Sequence, residues 1–229
     1  MQLKRTPVRK HCDDDAPKEF GEQVTADHII AQDIVDNSIL GDKTALIVMD
    51  RATQWIDVFP LLSKSALDTA VALKDFVGSM GQIDSFYSDN SPELKQVAHV
   101  NGWKHSTSTP GRPETNGVAE RAVRTVIEGT RTALEQAGMT PRWWRFACKH
   151  FCFAKYISVW NGTSAWQSRH KGTALSGPLL PFGSLVNFKP TPVGGNLALS
   201  TLPRRSRGSS WATTSCQEED GEATTGWLR

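Results

Sequence analysis

The sequence predicts an α/β domain built on a five-stranded mixed sheet with helices on its faces. Two observations predict it: three apolar segments of strand length come first, and segments of helical and strand-like period then alternate to about residue 160. The length, 229 residues, suffices for one domain of about 150 residues with extensions. The composition, 38% hydrophobic and 22% charged, excludes a collagen, a disulfide scaffold and a wholly disordered chain.

The first three predicted strands form one half of the sheet. Residues 29–35 alternate in hydrophobicity, which places Asp33 at the middle or end of the first strand. Residues 44–49 form a continuous apolar run, typical of a central strand that is buried on both faces. Residues 54–59 alternate again and are expected to form the neighbouring strand.

Helices and strands then alternate along the chain. The predicted bounds are 64–80 (helix), 83–88 (strand), 92–100 (helix), 103–107 (strand), 117–137 (helix) and 140–159 (helix). In the helix at 117–137 the apolar side chains recur along one stripe, and Glu120 lies off that stripe. Glu120 is therefore expected to be displayed in the first turns of this helix rather than packed.

The predicted core spans residues 26–160, and the segments around it are expected to be less regular. Residues 1–25 are polar and aperiodic, which predicts a flexible leader. Residues 161–192 favour a small β extension. Residues 193–229 are rich in Gly, Ser and Thr, which is typical of a disordered tail.

Charge is unevenly distributed along the chain. Residues 13–103 hold sixteen acids and six bases, whereas residues 104–207 hold fifteen bases and four acids. A basic half suits a polyanionic partner, because Lys and Arg displace counterions from phosphates; the alternative is a solvated surface whose charges segregate by chance. No apolar run approaches the ~20 residues of a membrane helix, and the N-terminus has no secretory signal. We therefore expect an intracellular protein with no membrane partner.

Three acids are candidates for chemistry: Asp33 on the first strand, Asp89 after the fourth, and Glu120. In a mixed sheet the three could converge. Three ionised carboxylates about 5 Å apart would repel by roughly 3 kcal/mol per pair at an effective dielectric of 20, so they would need cations. Hard oxygen ligands at an open site suit two Mg²⁺ or Mn²⁺ ions, a pair that assists displacement at a phosphodiester.

Each candidate acid also has an ordinary structural interpretation. The first position has three rivals, Asp50 foremost and then Asp27 and Asp36, each of which suits a cap or a turn. Asp89 suits the turn that caps a helix. Glu120 could simply compensate the dipole at the start of its helix.

The cysteines are not interpreted as metal ligands. Cys148 and Cys152 are spaced four residues apart in a Phe-rich helical segment, with His150 between them. That spacing favours two small core residues. In a reducing compartment all four cysteines of the chain are expected to be free thiols.

At its candidate acids the sequence resembles the catalytic core of retroviral and retrotransposon integrases, especially Copia-type integrases of long-terminal-repeat elements. The strings YSDNSPEL (87–94) and STPGRPETNGVAERAVR (108–124) resemble the segments that carry the family's second Asp and its Glu. The strings DHIIAQDIV and ALIVMDRATQWID resemble its opening strands. The resemblance covers residues 20–160 and implies a ribonuclease H-like fold.

The resemblance also implies an activity and partners. It makes Asp33, Asp89 and Glu120 the ligands of two Mg²⁺ or Mn²⁺ ions, and it implies 3′-end processing and strand transfer of retroelement DNA in the nucleus, by a homo-oligomer. The candidate DNA contacts, each of which could instead be a solvated surface or capping residue, are Lys104, Arg112, Asn116, Arg121 and Arg124. Two alternatives stay open: an inactive retroelement-derived fragment that binds nucleic acid, and a ribonuclease H-like nuclease that cuts without joining.

Overall fold

The computed structural model describes residues 16–30, 37–79, 81–107, 117–175 and 177–186. These residues form a five-stranded sheet with helices on both faces. The strands are β1 (Gln23–Ile30), β2 (Thr44–Asp50), β3 (Ile56–Leu61), β4 (Ser85–Ser88) and β5 (Lys104–Thr107). The helices are α1 (Ala66–Val77), α2 (Pro92–Val100), α3 (Gly117–Ala137), α4 (Trp144–Ile157) and α5 (Ala165–Arg169), with a 3₁₀ turn at Pro141–Trp143 before α4.

The order of the strands across the sheet is β3-β2-β1-β4-β5. Strands β1, β2 and β3 pair antiparallel, whereas β1 pairs parallel with β4 and β4 parallel with β5. Parallel neighbours need a crossover connection, and α1 and α2 lie in the two crossovers. The mixed sheet and its flanking helices confirm the predicted fold class.

Two hydrophobic layers cover the two faces of the sheet. Alternate residues of a strand point to opposite faces, so Val24 and Ala26 of β1 pack in the layer beneath α1 and α2. Ile29 packs in the other layer, with α3 and α4. Strand β2 contributes to both layers: Leu46 is buried in the layer beneath α1 and α2, and Ile47 is buried in the layer with α3 and α4. Burial of one such side chain contributes roughly 1.5–3 kcal/mol.

Local signals fix the ends of the central helices. The Oγ atom of Ser65 accepts the Asp68 backbone N–H at 3.1 Å and caps α1, which ends at Val77 with Gly78 (φ 73°) as its C-cap. Pro92 occupies the first turn of α2, where its missing N–H costs nothing. Helices α2 and α3 have the predicted bounds, 92–100 and 117–137.

The first strand lies earlier than predicted. It spans Gln23–Ile30 instead of 29–35, so the end of the expected leader, from residue 23, belongs to the sheet. Three consecutive residues, 24–26, are buried because both faces of β1 are covered. A strand of this kind lacks the apolar and polar alternation on which the prediction depended. Residues 1–15 lie outside the described part.

The segment predicted as a small β extension, 161–192, contains helix α5 and no strand among its described residues. Ser164 and Gln167 form a capping box that begins this helix, since each side chain bonds the other's backbone N–H. Arg169 then donates to the Phe76 carbonyl at 2.9 Å and covers the Trp55 ring. Local capping and aromatic packing therefore favour a helix here. The predicted disordered tail, 193–229, lies outside the described residues.

The cysteines of α4 are core residues. Cys148 and Cys152 are buried, free and packed in the core, as their spacing predicts. Burial raises the pKa of the Cys148 thiol to about 12.

Across the described ranges, none of the helices combines the length and apolar character needed to traverse a bilayer.

A candidate active site beside β1 and the end of β4

The parallel pairing of β1 with β4 brings two acids side by side. Ala26 pairs with Ser88, and the residues that follow this pair are Asp27 and Asp89. Neighbouring strands lie about 4.8 Å apart, and paired residues share a face of the sheet. Ala26 points into the α1 and α2 layer, so Asp27 and Asp89 point towards the face that α3 covers.

Helix α3 supplies the third acid. It packs against β1 and β2 on that face, through residues such as Val126 and Ala122. Glu120 lies in its first turn and is exposed, as the apolar stripe predicts. Its charge acts on Asp27, so Glu120 lies near the place where β4 ends beside β1.

Electrostatics connect the three carboxyl groups. The pKa of Asp27 is raised from 3.8 to about 6, chiefly by burial and also by the negative charges of Asp89 and Glu120. The backbone N–H of His28 and the ammonium of Lys64 oppose this effect. Asp27 is thus a partly buried acid that interacts electrostatically with two other carboxylates. Such an arrangement is common at functional sites.

The donor set suits a divalent cation, although it is not a closed ligand shell. Three carboxylates offer the hard oxygen atoms that Mg²⁺ and Mn²⁺ prefer, and the charges of Asp89 and Glu120 contribute, after burial, to the raised pKa of Asp27. Among the described residues, no group of three or more His, Cys, Asp or Glu side chains is arranged so that it could hold a metal ion. The structure therefore gathers the acids at one edge without defining a metal geometry.

Asp89 also has the structural role considered for it. Its Oδ1 atom accepts the Ser91 backbone N–H at 3.1 Å, in the turn that leads into α2. The adjacent Ser88 hydroxyl donates to the Asp89 carbonyl at 2.9 Å and contacts His105 Nε2 at the same distance. These bonds fix the backbone of Asp89 at the strand end.

Asp33 lies in 31–36, outside the described residues, so its predicted role stays a prediction. Of its rivals, Asp36 lies in the same segment, while Asp50 is fully buried and bonded to its own turn. The acid beside Asp89 is Asp27. Sequence reasoning treated it as a cap or turn residue, because it stands within the sequence TADHII, where the apolar alternation is weak.

The predicted DNA contacts occupy different places. Arg121 and Arg124 are exposed in the first two turns of α3, beside Glu120. Lys104 is exposed but pairs with Ser85, about 13 Å along the strands from Asp89. Arg112 and Asn116 lie outside the described residues. No observation tests whether any of the five contacts DNA.

Sequence relatives are retrotransposon polyproteins. The chain is 34% identical over 118 residues to a retrovirus-related Pol polyprotein from transposon RE2 of Arabidopsis thaliana, and 33% identical over 118 residues to that from transposon RE1 of the same plant. Each alignment covers 49% of this chain and 8% of the polyprotein, so the chain spans less than a tenth of the length of these relatives. No family model matches the chain.

Solved structures of integrases share the fold. The catalytic core domain of the HTLV-2 integrase, solved with magnesium in a dimeric form, aligns with a TM-score of 0.50 and 16% identity, over 66% of this chain and 98% of that domain. A chain of a simian T-cell lymphotropic virus intasome aligns with a TM-score of 0.54 and 12% identity, over 82% of this chain and 66% of its own length. The fold is therefore ribonuclease H-like, of the integrase catalytic-core type, and its sequence relatives are retrotransposon Pol polyproteins. Both findings confirm the resemblance read from the sequence.

Proposed function

We propose that this chain is a retrotransposon integrase core that binds DNA and catalyses Mg²⁺-dependent 3′-end processing and strand transfer. The observation that carries the proposal is the β1 and β4 register, in which Asp27 and Asp89 follow a directly paired Ala26 and Ser88, while the charge of Glu120 acts on Asp27. We assign the first catalytic carboxylate to Asp27 in place of Asp33. The retrotransposon relatives and the integrase fold support the same class of reaction.

The chain's own residues would act by binding and positioning. Asp27, Asp89 and Glu120 would hold two Mg²⁺ or Mn²⁺ ions. Ions bound there would stabilise the attacking and leaving oxygens of a phosphodiester displacement. Backbone pairing in the sheet fixes Asp27, and the hydrogen bonds of the following turn fix Asp89, which is the kind of support that precise catalysis needs.

The partners follow from charge and from the assemblies of the neighbours. Arg121 and Arg124 are exposed in the first two turns of α3, beside Glu120, and their guanidinium groups are suited to DNA phosphates. The HTLV-2 core is described in dimeric and trimeric forms, and the simian virus chain belongs to an intasome. We propose retroelement ends and target DNA as substrates, a homo-oligomer as the active form, and the nucleus as the place of action.

The test is a strand-transfer assay with purified protein, Mg²⁺ and a duplex that carries a terminal-repeat end. We expect cut and joined products from the unmodified chain and a loss of roughly 10³-fold in Glu120→Gln. Glu128→Gln is the matched control, since Glu128 is exposed on the same helix about 12 Å further along. Cut products without joined ones would identify a nuclease instead. Equal activity of the two variants would contradict the assigned site.

A second candidate function is an inactive core that retains DNA binding. One observation favours it: the described residues contain no group of three potential ligands that could hold a metal ion. Binding of the same duplex with no product in either Mg²⁺ or Mn²⁺ would support this candidate.

A further inference from the structure

A cluster of four side chains lies on the other side of the sheet edge from Glu120. His28 follows Asp27 on β1 and therefore points into the α1 and α2 layer. Its Nε2 atom hydrogen-bonds Thr69 Oγ1 of α1 at 3.2 Å, and its Nδ1 atom lies 3.8 Å from Glu93 Oε1 of α2. The cluster ties the end of β1 to both crossover helices.

The fourth member of the cluster is Lys64. Its ammonium lies 2.8 Å from Glu93 Oε1, and the Glu93 side chain is only 11% exposed. The Lys64 side chain is 40% exposed, so the ion pair has a buried acid and a solvent-facing cation. An acid held in this way restricts the ammonium to one place on the surface.

Lys64 keeps bonding capacity towards solvent. A lysine ammonium has three N–H donors, and in the described part of the chain Glu93 is the one ion-pair partner of Lys64. At least one donor can therefore meet an acceptor outside the protein. The adjacent Ser65 caps α1, which fixes the backbone from which the side chain extends.

The cluster stands beside the proposed active site. Glu93 is four residues after Asp89, and its contact His28 is the neighbour of Asp27. The field of the Lys64 ammonium reaches Asp27 itself. A DNA strand at this edge meets several carboxylates, so a fixed cation next to them offsets their repulsion of phosphate.

We propose that Lys64, held in place by Glu93, binds a phosphate of the DNA substrate next to Asp27 and Asp89. This rests on the proposed function, because it assumes that DNA occupies that edge. The contact positions the strand without reading its sequence, as phosphate contacts do. Lys64 was not among the residues that the sequence suggested for DNA binding.

The experiment measures binding of the full chain to a fluorescent duplex with a free 3′ end, in Mg²⁺, over a range of salt concentrations. We expect Lys64→Ala to weaken binding about tenfold and to reduce the slope of log K against log salt by about one. Lys64→Arg should restore the slope. Lys74→Ala is the matched control: Lys74 is an exposed lysine at the end of α1, about 15 Å away, and the variant should bind as the unmodified chain does.

Lys64→Ala leaves Glu93 without its cation, which could disturb folding. The double variant Lys64→Met with Glu93→Gln removes both charges and should show the same loss of slope with a normal circular-dichroism spectrum. If the unmodified chain binds DNA and both Lys64 variants keep its slope, the Lys64 proposal is wrong while the proposed function stands. If the unmodified chain binds no DNA in any salt, both are overturned.

Discussion

Two acids lie three residue steps apart along the paired strands β1 and β2, and their surroundings are opposite. At the amino end Val24 pairs with Asp50 of β2, and three residues later Asp27 pairs with Ile47. Asp50 accepts the backbone N–H of Gly21 at 3.0 Å and both the N–H and the hydroxyl of Thr53 at 2.7 Å. Asp27 instead has two carboxylates near it, Asp89 and Glu120, whose charges raise its pKa.

The comparison distinguishes Asp50, whose hydrogen bonds stabilise the fold, from Asp27, whose ionised form is destabilised by burial and by its acidic neighbours. Asp50 is completely buried, yet its charge is met by three donors from its own turn and from the preceding loop. Buried polar groups in this state are ordinary structural residues. Asp27 gains little from its neighbours, so its presence needs another explanation, and binding of a cation is the one that we propose.

The largest expected effect separates the two acids by activity. Asp27→Asn should lower strand transfer by roughly 10³-fold, equivalent to about 4 kcal/mol of transition-state stabilisation, because a ligand is lost while the fold is kept. Asp50→Asn should retain activity per folded molecule. The assay is the one described for Glu120→Gln, normalised to folded protein.

Asp33→Asn sharpens the same comparison, because it tests the first-ligand assignment made from the sequence. If Asp33→Asn loses activity and Asp27→Asn does not, the ligand is Asp33 and the proposed assignment is wrong.

The second effect concerns stability. Asp50→Ala should lower the free energy of unfolding by about 3 kcal/mol, because two backbone N–H groups at Gly21 and Thr53 lose their buried acceptor. Denaturant titration measures it. Glu22→Ala, at a half-buried acid in the same loop, should cost under about 1 kcal/mol. Similar losses in both variants would show that the Asp50 bonds contribute little.

The third effect is a dependence on pH. The pKa of Asp27 is raised from 3.8 to about 6 by burial and by its acidic neighbours, so ionisation is costlier in the folded state than in the unfolded chain. Asp27→Asn should therefore raise the free energy of unfolding by about 3 kcal/mol above pH 6. The gain should shrink as the pH falls from 6 to 3.8 and vanish below. Unfolding in a chelator at several pH values measures it, and a gain that is independent of pH would contradict the assignment.

The smallest effect is stabilisation by Mg²⁺. A ligand that binds only the folded chain raises the free energy of unfolding by about 1.4 kcal/mol at ten times its Kd. We expect that rise for the unmodified chain and none for Asp89→Asn. Asp75→Asn, which changes an exposed acid of α1, is the control and should keep the rise. Equal stabilisation of all three proteins would place the ion elsewhere.

Much of the fold follows from local sequence signals, and the site follows less directly. Pro92 at the start of α2 and the apolar stripe of α3 are sufficient to define those helices. Strand β1 is less readable, because burial on both faces removes its alternation. The start of β1 was predicted six residues too late, and Asp33 was chosen as the acid of that predicted strand; its role stays a prediction. The choice among the acids depends on strand pairing. That pairing is a long-range property which no single segment displays.

The pairing of β1 with β4 has a consequence for chains of different length. Asp27 and Asp89 are kept together by one step of backbone hydrogen bonding between adjacent strands. The intervening polypeptide, with its hairpin and first helix, does not set their separation. A circular permutant opened between α1 and β4 should keep the same two acids adjacent. Insertions between α1 and β4 should likewise leave the separation of Asp27 and Asp89 unchanged.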